Sequence, residues 1–310
     1  MIYTITANPA IDYHMDLTDT GLAVGQINRS KKEEMFPGGK GLNVSVILSR
    51  LGIPNTAWAF AAGKTGRLLE ELTEDQGCSC DFLWLEEGET RINVKLDCSM
   101  ETAVNGIGPA ITREAEASLL CRVDDLKKGD ILVLSGNLQT LTSGNLYMKI
   151  CGKCAEKGVR TVVDTEGQAL RDTFISRPFL IKPNREELTA LFDTDAQSRE
   201  ELIPLMKACR EEGVRNVLLT LGGDGALLLT EDGRLLSAQI ENTGTVVSTV
   251  GAGDSSIAGF LAGLSRHESD YGKMLQLACA AGSASAYRSW LAEGEEIEAM
   301  VPHVRVTALE

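Results

Sequence analysis

Residues 248–260 read STVGAGDSSIAGF, in which a β-branched run enters a glycine-rich turn and then a helical pattern. We predict a strand over residues 245–250, because β-branched residues favour extended backbone. Glycines at 251 and 253 allow the backbone to approach a ligand closely. Apolar residues then recur at Ile257, Phe260, Leu261 and Leu264, the spacing of a buried helix face. The segment therefore predicts a strand, turn and helix unit of an α/β fold.

The chemistry of this turn has two interpretations. Free N–H groups at a helix start, here those of Gly251, Ala252 and Gly253, can hold an anionic phosphoryl group. Asp254 lies in the first helical turn, where an aspartate can either react with a ligand or simply cap the helix. The spacing alone leaves both interpretations open.

The rest of the chain alternates β-branched runs with helical patterns, which is typical of a mostly parallel sheet covered by helices. The helical segments 143–157 and 200–212 end at Gly158 and Gly213, which are good C-terminal stops. We predict strands at residues 2–6, 57–61, 131–134, 159–164, 179–182 and 217–221, with 226–230 closing a hairpin.

Two segments, 11–35 and 89–109, lack a helical period, and the second contains TRINVKL and TAVNGIG, which alternate as a half-exposed hairpin does. We assign both to a small β lid. The α/β core then comprises residues 1–10, 36–88 and 110–310. Because so small a sheet is hardly stable alone, we expect a second copy of the chain to cover its open face, giving a homodimer.

Composition excludes several classes of protein. With 30 Lys and Arg against 44 Asp and Glu, the formal charge of -14 disfavours nucleic-acid binding. No apolar run is long enough to suggest a membrane helix, and we expect a cytoplasmic protein without a membrane partner. Among eight cysteines, Cys151 and Cys154 form a CxxC without a second pair, which favours buried thiols over a zinc or redox site.

A second glycine-rich motif, FPGGKGLNVSVILSRLG, spans residues 36–52 and opens another predicted helix. Backbone amides beside Lys40 suit a phosphorylated or polyhydroxylated ligand, and Asn43 offers a donor and an acceptor to hydroxyls. A tight turn with a solvated lysine explains the motif equally simply.

Polar residues recur where predicted parallel strands end, which is the edge at which α/β sheets bind ligands. Asn184 and Glu187, three residues apart at a helix start, could reach a hydrated Mg²⁺, although an ordinary acidic helix N-terminus explains them too. The strand-end residues are Ser135, Asp164, Lys182, Thr220 and Gly222.

Together these motifs resemble the signatures of the ribokinase-like, or PfkB, family of carbohydrate kinases. The first signature is similar to residues 38–44, GGKGLNV, and the second to residues 249–254, TVGAGD. The stretches TANPAID at 6–12, TRINVKL at 90–96 and KPN at 182–184 resemble the branch that phosphorylates sugar phosphates. The resemblance implies a three-layer α/β/α core with a small β lid, ATP as co-substrate and Mg²⁺ as cofactor.

The resemblance also implies roles for individual residues. Asp254 would be the catalytic base, beside an anion hole formed by the amides of Gly251, Ala252 and Gly253. The sugar phosphate would be bound by Asp12, Gly39, Lys40, Asn43, Arg91 and Asn137. ATP and Mg²⁺ would be bound by Lys182, Asn184, Glu187, Thr220, Gly222 and Gly225.

One departure from the family pattern concerns residues 135–139, which read SGNLQ where relatives usually have Ser-Gly-Ser, then Leu or Ile, then Pro. Asn137 thus replaces a hydroxyl by an amide near the substrate phosphate. The expected reaction is phosphorylation of fructose 1-phosphate at its 6-hydroxyl. Tagatose 6-phosphate as the substrate, and a non-catalytic sensor of sugar phosphates, are the alternatives.

Overall fold

A large sheet, mostly parallel, runs through the centre of the protein in the computed structural model, which describes residues 1–17, 21–98, 102–136, 145–241 and 244–309. Asn137, which the sequence assigned to the substrate site, lies outside these residues. The strands are β1 Ile2–Thr6, β2 Ala10–Asp16, β3 Glu33–Gly38, β4 Asn55–Ala62, β5 Ser79–Cys80, β6 Leu83–Leu85, β7 Arg91–Asp97, β8 Thr102–Asn105, β9 Ile131–Ser135, β10 Arg160–Asp164, β11 Leu180–Ile181, β12 Asn216–Thr220, β13 Ala226–Leu229, β14 Leu235–Ile240 and β15 Val304–Leu309.

Ten α-helices connect or flank these strands in the described part of the chain. Their sequence signals are visible at several ends: Gly158 closes α4 in the left-handed conformation, at φ 70°, and Ser198 begins α7 with a capping box. The helices are α1 Lys40–Arg50, α2 Gly63–Glu74, α3 Arg113–Asp125, α4 Leu146–Lys157, α5 Gly167–Arg171, α6 Arg185–Leu191, α7 Arg199–Glu211, α8 Ala252–Arg266, α9 Tyr271–Ala286 and α10 Gly294–Met300.

The large sheet has the order β15-β14-β13-β12-β11-β10-β9-β1-β4-β5, with β6 also paired to β4. Strands β4 to β12 along this path are parallel, and β12 through β15 are antiparallel. This arrangement confirms the predicted α/β fold and the hairpin after β12. Parallel strands direct their carboxyl ends to one edge, and the registers align Thr6, Ser135 and Asp164 there.

Alternating strand residues divide the core into two layers. Val162 belongs to a cluster with α1, α8 and α9, which includes Ile47 and Phe260. Its neighbour Val163 belongs to a cluster on the other side of the sheet with α3, α4, α6 and α7, which includes Ile150. A strand covered on both faces must be apolar on both, which explains its continuous hydrophobic run.

The second sheet has four strands in the order β3-β2-β7-β8. Successive residues of a strand point to opposite faces, and residues paired across strands share a face. Asp12 and Asn93 therefore lie on one, polar face, and Tyr13 and Val94 lie on the other, apolar face. At the junction with the core, the ring of Phe36 in β3 stacks on Trp290, with ring centroids 4.5 Å apart. We call this four-stranded sheet the lid sheet.

The strand predicted at residues 245–250 is wrong. Val246, Val247 and Val250 are exposed, and the chain there has no regular structure before the turn at Gly251. After β13 the large sheet is instead continued by β14 and by the edge strand β15, both of which the sequence analysis missed. The strand propensity of β-branched residues reflects packing on a half-buried pleated surface, and these three valines do not pack against such a surface.

Candidate active site

Helices α1 and α8 begin side by side at the carboxyl edge of the large sheet. A methyl group on Gly251, which precedes α8 at φ 78°, would lie 2.6 Å from Cδ2 of Leu291 and 3.7 Å from Nδ2 of Asn43 in α1. Gly39 precedes α1 at φ 127°, and a methyl group there would lie 2.5 Å from Thr6. Only glycine tolerates these conformations and approaches, so both glycine motifs serve to bring two helix N-termini together.

Asp254 lies at this junction and is 6% exposed. Its Oδ2 accepts a hydrogen bond of 2.8 Å from Nδ2 of Asn43. Helix α8 has no side-chain N-cap, so the carboxylate is oriented by α1 and not by the end of its own helix. Burial, together with the charge of Asp164, raises the pKa of Asp254 to about 7. A carboxylate with this pKa can accept a proton near neutral pH.

Asp164, at the end of β10, is held between two lysines. Its Oδ2 lies 3.2 Å from Nζ of Lys40, and its Oδ1 lies 3.2 Å from Nζ of Lys182. Burial alone would raise the pKa of Asp164, but the two ammonium groups outweigh it and lower the pKa. Burial would likewise lower the pKa of Lys40, yet the neighbouring carboxylates, Asp164 first, raise it. The cluster therefore places two ammonium groups and one carboxylate near Asp254.

The start of α8 can bind an anion. Amides in the first turn of a helix lack intrahelical acceptors, which applies to Gly253 and Asp254. The amide of Ala252 already donates to the carbonyl of Thr249 at 3.3 Å, so it is less available than the sequence predicted. A methyl group on Gly253 would lie 3.1 Å from Nζ of Lys182, which places that ammonium directly over the helix start. Amides and ammonium together suit a phosphoryl group.

A cavity of about 760 Å³ adjoins this helix start. Among its lining residues are Lys182, Asn184, Thr220, Gly222 and Gly225, all assigned to the nucleotide from sequence. Other parts of its wall come from the exposed loop before α8, from α9 and from the residue that follows α9. These are Val246, Cys279, Ala286 and Tyr287.

Asn184 and Glu187 form a reciprocal cap at the start of α6. The amide of Glu187 donates to Oδ1 of Asn184 at 2.8 Å, and the amide of Asn184 donates to Oε2 of Glu187 at 2.9 Å. The fold also requires glycine at position 225, because a methyl group there would lie 2.1 Å from the carbonyl oxygen of Ala238 in β14. Asn184 and Gly225 thus shape the fold at the same place where they line the cavity, whereas Glu187 is not among the cavity's lining residues.

Asp12 and Arg91 lie on the lid sheet, in β2 and β7 respectively, and neither lines the cavity. Oδ1 of Asp12 accepts from Nδ2 of Asn93 at 2.8 Å. Arg91 donates to the carbonyl of Asn8 at 3.0 Å and to that of Gly106 at 3.3 Å, and Nε of Arg91 is buried without a partner in the described residues. Burial lowers the pKa of Arg91. Sequence reasoning named Asp12 and Arg91 but not Asn93 or Lys95, which contact Asp12.

Several buried polar atoms around the junction have no hydrogen-bond partner among the described residues. They are Oδ1 of Asn43, Oδ1 of Asn93 and Oγ of Ser135. Since buried polar atoms are nearly always satisfied in folded proteins, these three atoms are candidates for hydrogen bonds to a ligand or an ordered water.

The sequence model described as pfkB family carbohydrate kinase matches residues 6–296. This chain belongs to that family. Membership in the pfkB family implies a phosphotransferase with ATP as co-substrate and a sugar or sugar phosphate as acceptor. The two signature motifs are thus the two glycine-rich helix starts that meet at Asp254.

Individual relatives span the whole chain. The 1-phosphofructokinase of Bacillus subtilis is 38% identical over 309 residues, 100% of both chains. The D-tagatose-1-phosphate kinase of Bacillus licheniformis is 33% identical over 310 residues, also 100% of both. A crystal structure of phosphofructokinase-2 from Escherichia coli in complex with substrates and products is 25% identical, with a TM-score of 0.90, and covers 97% of this chain and 98% of the other.

Helices that could cross a membrane are not found among the described residues.

Proposed function

We propose that this protein transfers the γ-phosphoryl group of ATP to the 6-hydroxyl of fructose 1-phosphate, giving fructose 1,6-bisphosphate. The observation that supports it most is the buried carboxylate of Asp254, whose pKa is about 7, beside a helix start and two lysines. The name of the relative with 38% identity favours this substrate.

In this proposal ATP occupies the cavity of about 760 Å³, with its γ-phosphoryl group at the start of α8. Lys182, the amide of Gly253 and Lys40 stabilise the negative charge of the transferred group. Asp254 accepts the proton of the sugar hydroxyl as the new P–O bond forms. Asn43 fixes the direction of that carboxylate, and Asp12, Gly39 and Arg91 hold the sugar phosphate on the lid side. Asn137 is also assigned to the sugar phosphate, on the basis of the sequence resemblance only.

Mg²⁺ fits this site as an ion that arrives with ATP. Magnesium usually keeps several waters and binds through one or two carboxylates and the substrate phosphates. The described residues contain no group of three or more His, Cys, Asp or Glu placed to hold a metal ion alone. The cap of α6 uses one carboxylate oxygen of Glu187, which leaves the other for a metal-bound water. Mg²⁺ would neutralise phosphate charge there.

A panel of acceptors tests the substrate. We expect ADP release with fructose 1-phosphate, and a kcat/KM for unphosphorylated fructose lower by at least about 100-fold, because two or more charge-assisted contacts to the phosphate are lost. Comparable kcat/KM values for the two acceptors would contradict the proposal. No turnover with any phosphosugar would favour the non-catalytic sensor.

Tagatose 1-phosphate is the second candidate substrate, favoured by the relative that is 33% identical over both full chains. Tagatose 6-phosphate, the alternative from sequence, belongs in the same panel. A kcat/KM for either tagatose phosphate above that for fructose 1-phosphate would replace the main proposal.

We also propose a homodimer formed through the apolar face of the lid sheet. On that face Met35 is 45% exposed, Ile92 43% and Val104 63%, while the opposite face carries Asp12 and Asn93. A contiguous exposed apolar face of this kind marks an interface. It follows the expectation that a sheet this small needs a second copy to cover it.

The oligomer is tested with Val104→Glu, which places a charge on the apolar face, at the edge strand β8. We expect a wild-type mass by light scattering of twice one chain, and a single-chain mass for the variant, because a buried unpaired carboxylate is costly. Ile175→Glu is the control, since Ile175 is 82% exposed and far from the lid sheet in the chain. A single-chain mass for the wild type, or a dimeric Val104→Glu, would contradict the interface.

A further inference from the structure

The carboxylate of Asp12 is held from three sides. Nδ2 of Asn93 donates to Oδ1 at 2.8 Å, and Nζ of Lys95 lies 3.4 Å from Oδ2. On the third side, a methyl group on Gly38 would lie 2.6–2.8 Å from the carboxyl atoms of Asp12. These contacts restrict the orientation of the carboxylate.

The contact from Lys95 follows from the register of the lid sheet. Asp12 pairs with Asn93 across β2 and β7, and Lys95 is two residues further along β7, on the same face. Its side chain reaches back diagonally to Asp12, which lies within the range of long side chains on neighbouring strands. Arg91, Asn93 and Lys95 thus form one polar row on the side of the sheet that carries Asp12.

Lys95 is unusual because its charge is largely withdrawn from water. Its side chain is 15% exposed and that of Asp12 is 12% exposed. Lysines are almost always exposed, and a buried ion pair adds little net stability because of its desolvation cost. A pair of this kind beside the sugar-phosphate site is better explained by ligand binding than by stability.

We propose that Lys95 is a positioning residue for Asp12 and thereby for the sugar phosphate, an inference that rests on the proposed function. A carboxylate has about four lone-pair positions; Asn93 occupies one on Oδ1, and the ammonium of Lys95 lies beside Oδ2 as an ion pair. The remaining positions are pre-oriented to accept hydrogen bonds from sugar hydroxyls, which lowers the entropic cost of binding. The ammonium also offsets the repulsion between Asp12 and an anionic substrate.

The test measures binding and turnover of Lys95→Met beside Lys32→Met. Lys32 forms an ion pair with Glu34 of β3, but the side chain of Lys32 is 66% exposed. The control variant therefore deletes the same ammonium group at a position where it is solvated. For Lys95→Met we expect the Kd of fructose 1-phosphate by calorimetry, and its KM, to rise about tenfold, because Asp12 loses the ammonium that orients it and offsets its repulsion of the anionic substrate. The KM for ATP should stay within about twofold, since Lys95 lies on the lid sheet.

Lys95→Arg separates positioning from folding, because it keeps the charge and should recover most of the affinity. If Lys95→Met does not fold, Lys95→Gln serves in its place and should weaken sugar-phosphate binding without changing the KM for ATP. Wild-type affinity in the Met or Gln variant, equal losses for both substrates, or an equal loss in Lys32→Met would overturn the role of Lys95. A wild type that does not bind fructose 1-phosphate would instead overturn the proposed function and, with it, this inference.

Discussion

Two buried aspartates at the carboxyl edge of the large sheet differ in their surroundings and hence in their chemistry. Asp164, at the end of β10, is 2% exposed and lies 3.2 Å from each of two lysines. Asp254, in the first turn of α8, is 6% exposed and accepts one hydrogen bond from Asn43. The pKa of Asp164 is lowered, whereas that of Asp254 is raised to about 7. The two side chains are chemically identical, so the difference in pKa comes from their surroundings. These surroundings favour the ionised form of Asp164 and allow Asp254 to bind a proton near neutral pH.

The difference suits phosphoryl transfer to an alcohol. The lowered pKa of Asp164 favours its ionised form, which pairs with Lys40 and Lys182, and in the proposed reaction these two lysines stabilise the transferred group. Asp254 can change its protonation state near neutral pH, as a general base must. Carboxylates whose pKa values are pushed apart by their environments identify the acid and base roles of an active site.

The largest expected effect is that of Asp254→Asn, which removes the base and keeps the side-chain volume. We expect kcat to fall by at least about 100-fold, the lower end of what general-base catalysis contributes. The KM for ATP should change little, because the cavity wall is intact. Steady-state kinetics with fructose 1-phosphate measures both quantities.

Asp270→Asn provides the matched control for this variant. Asp270 caps α9, where its Oδ1 accepts from the amide of Lys273 at 3.0 Å. Near-wild-type kcat in Asp270→Asn with a large loss in Asp254→Asn separates catalysis from helix capping. Equal small effects in both variants would make Asp254 a structural residue.

Asp164→Asn should have the next largest effect and a distinct pH signature. At pH 8 we expect kcat to fall roughly tenfold, because Lys40 and Lys182 lose the anchor that positions them. The wild-type kcat should decline below about pH 7 as Asp254 takes up a proton. Since the charge of Asp164 raises the pKa of Asp254, its removal should move this decline to lower pH.

The pH dependence of kcat for both proteins checks this prediction. Asp124→Asn is the control, because Asp124 pairs with Lys153 at 2.7 Å on the surface. A decline at unchanged pH in Asp164→Asn would show that the two carboxylates are not coupled.

The smallest effect concerns stability. The folded-state pKa of Asp254, about 7, lies above its ordinary value of 3.8, so the folded state retains a proton that the unfolded state releases. The stability from this group is complete below pH 3.8 and is lost as the pH rises through 7. Asparagine does not ionise, so Asp254→Asn should raise Tm by a few degrees at pH 8 and by less at pH 5. Calorimetry at the two pH values measures this, and an equal shift at both would contradict it.

The periodic parts of the fold were predictable from sequence because burial dictates them. Strands β1, β9 and β10 are covered on both faces, and their apolar runs give their positions to within a residue or two. Residues 245–250 look equally strand-like, yet whether a β-branched run finds a partner depends on distant β14 and β15. Local propensity contains no such information.

The candidate site shows the same limit. Glycine motifs mark Asp254, Lys40 and Asn43 because close backbone approaches require glycine, and that requirement is local. The contact of Lys95 with Asp12 depends on the register between β2 and β7, which lie far apart in the chain. Nothing in TRINVKL alone distinguishes Lys95 from a solvated lysine.

The most direct test is a crystal structure of the wild type with fructose 1-phosphate and a non-hydrolysable ATP analogue. We expect the 6-hydroxyl oxygen within about 2.6–3.2 Å of a carboxylate oxygen of Asp254, the reach of a general base. A sugar bound elsewhere, or an Asp254 side chain turned away from the hydroxyl, would contradict the account.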